Sequence, residues 1–125
     1  MNFIEKALRT ESVPKIEMTE GLTRLLHAAL GMQTESAEFS DQLKKHIFYG
    51  KPLDKVNLKE ELGDQLWYIA IALAALDSDF ETEMARVINK LQVRYPDKFT
   101  NELAEVRNLV AEREELEKQL ILNLK

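Results

Sequence analysis

Three acids, Glu60, Glu61 and Asp64, stand immediately before one of the most apolar runs in the chain, in EELGDQLWYIAIALAAL (60–76). Carboxylates are costly beside a packed interior unless something positive meets them, so these residues ask for a cation. Residues three or four apart on a helix share a face. Glu61 and Asp64 do so, and Tyr68, Ala72 and Ala75 extend their stripe. A second pair, Glu35 and Glu38, lies on an earlier helical segment, away from its leucine stripe and beside Ala28, Gly31 and Gln42. Small residues there leave room for a ligand or a close neighbour. Spacing alone decides nothing, because Glu17/Glu20, Glu38/Asp41, Glu102/Glu105, Glu112/Glu115 and Glu114/Glu117 repeat it, and such pairs usually mark a solvated face. The apolar helix around Glu61/Asp64 sets that pair apart; Glu35/Glu38 stands out as a second pair able to face it.

Four acids converging on one point repel one another and resist ionisation. A hard divalent cation removes the conflict, and an oxygen-only donor set suits Mg²⁺ or Mn²⁺. Cysteine is absent, and neither His27 nor His46 has an acid three residues before it, so thiolate sites and Glu-x-x-His di-iron bundles are poor readings. Downstream, Lys90 and Arg94 are four apart and share a face with Arg86. Such a local basic cluster suits a small phosphorylated ligand. The loop KKHIFYGKPLDK adds Lys44, Lys45, Lys51 and Lys55; it reads equally as a flap over phosphate and as a solvated connection.

The elements that position these residues are helical. Residues 2–8 fit a short helix. Leu22, Leu25, Leu26, Ala29, Gln33, Ser36, Ser40, Leu43 and Ile47 recur at three and four, which predicts a long helix over roughly 19–46. Gly50 and Pro52 break it. Asn57 is the expected N-cap of the acidic helix, which runs to about Leu76 and is apolar on every other side. Asp79 caps a fourth helix through about Arg94, where Pro96 ends the ladder. From Asn101, Leu103, Val106, Val110, Leu116, Leu120 and Leu124 predict one last helix, long enough to pack against another subunit. No strand is expected. The fold class is therefore all-α, a bundle of four to five helices in one domain over residues 1–125.

Composition narrows the function classes. With 17 basic and 22 acidic residues the net charge is −5, which argues against general nucleic-acid binding. The longest apolar run, Leu66 to Leu76, has eleven residues, against the roughly 20 a membrane span needs. The N-terminal MNFIEKALRTE mixes charges early and does not read as a signal peptide. The expected compartment is the cytoplasm.

ESAE (35–38), 22 residues, then ELGD (61–64) resembles the ExxE…ExxD signature of the all-α nucleoside triphosphate pyrophosphohydrolases, the MazG-like group. NKLQVRYPDKF (89–99) resembles the segment that follows the acidic helix in that family. FYGKPLDKVNLKEELGDQLWY resembles a subset of small stand-alone bacterial and phage proteins. The likeness covers about residues 20–100. It implies Mg²⁺-dependent hydrolysis of a nucleoside triphosphate to the monophosphate and pyrophosphate, a role in nucleotide-pool housecleaning, and assembly as dimers or tetramers, the four-helix-bundle cores being completed by this oligomerisation. By the same likeness Glu35, Glu38, Glu61 and Asp64 hold the metals; Glu38 is a candidate general base among them, which the sequence does not select. Lys90 and Arg94 contact the phosphates, with Asn89 a nearby polar contact. Tyr68 borders or stacks on the base, and His27 faces the same cleft. Two rivals stay open: a related enzyme acting on phosphoribosyl-ATP, and a non-catalytic helical interaction module using the charged tail.

Overall fold

Short polar side chains set where the helices start, by accepting a backbone N–H that has no carbonyl partner. The computed structural model describes residues 1–123, with side chains through residue 118. α1 (Phe3–Leu8) opens on Asn2, whose side chain accepts from Glu5 while Glu5 reaches back to the Asn2 N–H. α2 (Glu20–Tyr49) is capped by Thr19. It stops at Gly50, which takes the left-handed conformation (φ 66°) and donates its N–H to the Lys45 carbonyl. α3 (Lys55–Ala75) begins at Asp54, α4 (Phe80–Arg94) at Asp79 and α5 (Asn101–Glu105) at Thr100. In α6 (Leu109–Asn123) the Asn108 side chain accepts from the Ala111 N–H. No strand occurs among the described residues.

The all-α class is thus as read from sequence, with three local differences. Asp54 caps α3 in place of Asn57, because its carboxylate accepts the Asn57 N–H at 3.0 Å and starts the helix earlier. The tail is two helices, since Val106 adopts an extended conformation (φ −108°, ψ 92°) and Asn108 restarts the ladder. That tail also packs on its own chain: α6 lies along α4, as α3 lies along α2. Leu120 and Leu124, part of the tail's apolar pattern, lie outside the described side chains.

These are the two substantial helix pairings among the described residues, so the chain is a pair of helical hairpins more than a closed bundle. Ala28 is the one fully buried apolar side chain described. α3 is apolar on nearly every side, and in the single chain Leu66 is 52% and Trp67 58% exposed. Nothing among the described residues covers these two side chains.

Candidate metal centre

α2 and α3 are brought close enough for opposing acids to meet by two contacts around them. At Gly31 the ring of Tyr68 lies so near the backbone that any Cβ there would overlap it. One helical turn on, Ser36 Oγ donates to Gln65 Oε1 across the interface at 3.0 Å, and Gln65 Nε2 donates to the Glu61 carbonyl at 3.3 Å. Around and just beyond the second of these contacts Glu35, Glu38 and Glu61 each turn a carboxylate oxygen to within 4.8 Å of the others. Glu35 is half-buried, Glu38 exposed and Glu61 only 5% exposed.

The electrostatics are those of an unneutralised cluster. Burial, then the adjacent Glu61 carboxyl and the charges of Glu38 and Asp64, raise the Glu35 pKa above its ordinary value. For Glu38 the Glu61 charge is the largest cause of a rise, followed by burial. Three ionised carboxylates cannot donate to one another, and Glu61 Oε2 is buried without a hydrogen-bond donor. An orphaned buried oxygen facing further carboxylates fits a cation, and an all-carboxylate set fits a hard one. Asp64 stands outside the tight set; it is exposed one turn along α3, where its charge still acts on Glu35 and Glu38.

The family model for the MazG nucleotide pyrophosphohydrolase domain matches residues 24–99, a span that holds all four acids. The chain belongs to the MazG nucleotide pyrophosphohydrolase family. No curated protein and no solved structure gives a significant match. The MazG match ends just after RYPDKF, so α5 and α6 fall beyond it.

The other sequence-predicted residues of this MazG domain divide by helix pair. His27 and Tyr68 come together, ring centroids 5.6 Å apart at 79°, and Trp67 meets Tyr68 edge-on at 5.0 Å and 88°. Lys51 is exposed in the connection before α3, where its carbonyl accepts from His46 Nδ1 at 2.6 Å. Asn89, Lys90 and Arg94 lie on α4, in the other helix pair. Asn89 and Lys90 are half-buried. Arg94 is already engaged: its Nε donates to Glu112 of α6 at 2.5 Å, and Arg107 donates to the second oxygen of Glu112 at 2.9 Å. Glu112 is 3% exposed, and the two guanidiniums, Arg94 foremost, hold its pKa below the usual carboxylate range. A phosphate contact for Arg94 would have to compete with this pair.

Sequence reasoning missed Asn57, Ser36/Gln65 and Glu112 as parts of the arrangement. Asn57 carried a signal, standing four residues before Glu61 on one helix face. Glu112 carried none, being one of several glutamates in a charged tail.

Proposed function

We propose that this chain is a single-domain, Mg²⁺-dependent nucleoside triphosphate pyrophosphohydrolase of the cytoplasm. It would cleave ribo- or deoxynucleoside triphosphates to monophosphate and pyrophosphate in nucleotide-pool housecleaning, with Mn²⁺ as a substitute ion, as a homo-oligomer. The observation that carries this reading is the convergence of Glu35, Glu38 and Glu61 around a buried, donorless Glu61 oxygen, within a MazG domain. The MazG family is typically divalent-metal dependent.

Glu35, Glu38 and Glu61 would hold the ion, with Asp64 joining from the next turn. The bound ion supplies charge neutralisation at the phosphates and a water of lowered pKa. The residues of the chain do the rest. Glu38, the exposed member of the set, would take a proton from an attacking water. Tyr68, held flat against α2 by Gly31 and edged by His27, offers an apolar wall for the base. Lys90 supplies a cation for the leaving pyrophosphate, and Asn89 a polar contact next to it.

The test is a panel of ribo- and deoxynucleoside triphosphates with Mg²⁺, the products resolved as monophosphate, diphosphate, phosphate and pyrophosphate. Monophosphate and pyrophosphate in equal amounts, abolished by chelation, are expected. No hydrolysis of any nucleotide, together with no stabilisation by Mg²⁺, would overturn the reading.

A further inference from the structure

Asn57 lies in the first turn of α3, one turn before Glu61. Its backbone N–H is taken by the Asp54 cap at 3.0 Å. Its side-chain amide donates to Glu61 Oε1 at 3.0 Å and to Glu60 Oε2 at 3.3 Å. The amide therefore gives its two hydrogens to two carboxylates. Its own oxygen is buried without a donor. The opposite orientation of the amide would set Oδ1 against the two carboxylates, acceptor against acceptor.

We propose that Asn57 positions Glu61 for cation binding, by fixing Oε1 so that the buried Oε2 is left free for the ion. The inference rests on the metal-centre reading above and adds a residue to it. A neutral donor suits the task. A lysine or arginine at residue 57 would pair with Glu61 and cancel the charge that a divalent ion needs. An apolar residue would leave the carboxylate free to rotate between its neighbours. The amide orients the group and leaves it fully charged, as hydrogen-bonded supports of metal ligands do. Because the Asp54 cap uses the Asn57 backbone, a side-chain substitution leaves the start of α3 intact.

The test is a titration with Mn²⁺ alone, without nucleotide, of the wild type, Asn57→Leu, Asn57→Ala and Glu61→Gln, with free Mn²⁺ read by electron paramagnetic resonance. Metal-free helicity and melting are recorded alongside. Asn57→Leu keeps the shape and removes the donor; Asn57→Ala serves if the leucine does not fold. Both should melt cooperatively without metal and bind Mn²⁺ about tenfold more weakly. Wild-type Mn²⁺ affinity in a folded Asn57 variant, with binding lost in Glu61→Gln, overturns the role of Asn57 alone. Wild-type affinity in Glu61→Gln overturns the metal centre and the role of Asn57 with it.

Discussion

Glu61 is kept buried although its nearest charged neighbours are acids, and that conflict makes two measurable demands. Carboxyl pKa values raised in the folded state, as for Glu35 and Glu38, mean that the folded protein holds more protons than the unfolded chain between the two values. Stability is then unaffected below the ordinary carboxylate range and falls as pH rises through the raised values. Metal-free protein should accordingly lose melting temperature as pH climbs from acid toward neutral, and Mg²⁺ should restore it; melting curves with and without chelator check this. Glu61→Gln should flatten the pH dependence and raise the metal-free melting temperature at neutral pH. The same variant should lose hydrolysis by more than the ~100-fold that losing a mere support of a metal ligand costs. A variant that unfolds at neutral pH would make Glu61 structural. Much of this was legible in the sequence, because Glu61 and Asp64 sit at helical spacing beside an apolar run. What spacing could not say is which acids touch. That depends on how deeply α2 and α3 approach, and so on Gly31, Ser36 and Gln65.

The helix pairings carry the next scale. Sequence periodicity found α2, α3 and α4 to within a few residues because each starts at a polar cap and ends at a turn the sequence marks: Gly50 and Pro52 after α2, Asp77-Ser78-Asp79 after α3 and Pro96 after α4. It ran the tail into one helix because the break at Val106–Asn108 contains neither glycine nor proline. The two pairings have different locks. Between α2 and α3 the lock is steric, so Gly31→Ala should force Tyr68 away and cost about 1–3 kcal/mol as overpacking does. It should also change the ranking of nucleotide bases more than the response to Mg²⁺; denaturant melts and a substrate panel would show both. Between α4 and α6 the lock is the Arg94–Glu112–Arg107 cluster. Arg94→Ala should therefore lower the melting temperature, whereas Lys90→Ala should leave it near wild type and depress hydrolysis of every nucleotide alike. The pH signature of the lock is opposite to that of the acid cluster. Glu112 has a lowered pKa, so its stabilisation is present above the ordinary carboxylate range and is lost as pH falls through the folded value. Equal loss of activity in both variants with unchanged melting would show that Arg94 leaves Glu112 to meet phosphate.

At the scale of the whole molecule the surface is larger than that of a compact chain of this mass. The chain exposes 10302 Å², whereas a compact monomer of 14.5 kDa exposes about 6,900 Å², leaving an excess of roughly 3,400 Å². A standard stable interface covers only about 800 Å² per partner, so the excess corresponds to several such patches on each chain. Its apolar part is concentrated. Leu22, Leu26 and Leu30 repeat every four residues along α2, Leu62, Leu66 and Trp67 lie on α3, and Met84, Val87 and Ile88 on α4, all exposed. The N-terminal stretch adds Phe3, Ile4, Leu8, Val13, Ile16 and Met18. Two hairpins with uncovered apolar rows on both are what a four-helix core looks like before its other half arrives. The expected species is an obligate homo-oligomer, at least a dimer and with surface enough for a tetramer. Its melting temperature should rise with protein concentration. Truncation after Asn101 should strip α6 from α4 and so disturb the assembly through its own subunit first. Trp67, the sole tryptophan, gives a direct reading: its fluorescence should be that of a buried indole at high concentration and shift to the red on dilution, in step with the loss of mass in sedimentation. Trp67→Glu should bring the same dissociation at higher concentration. A folded, active monomer at micromolar concentration, with Trp67 already emitting as an exposed indole, would leave these apolar rows without a partner of this kind.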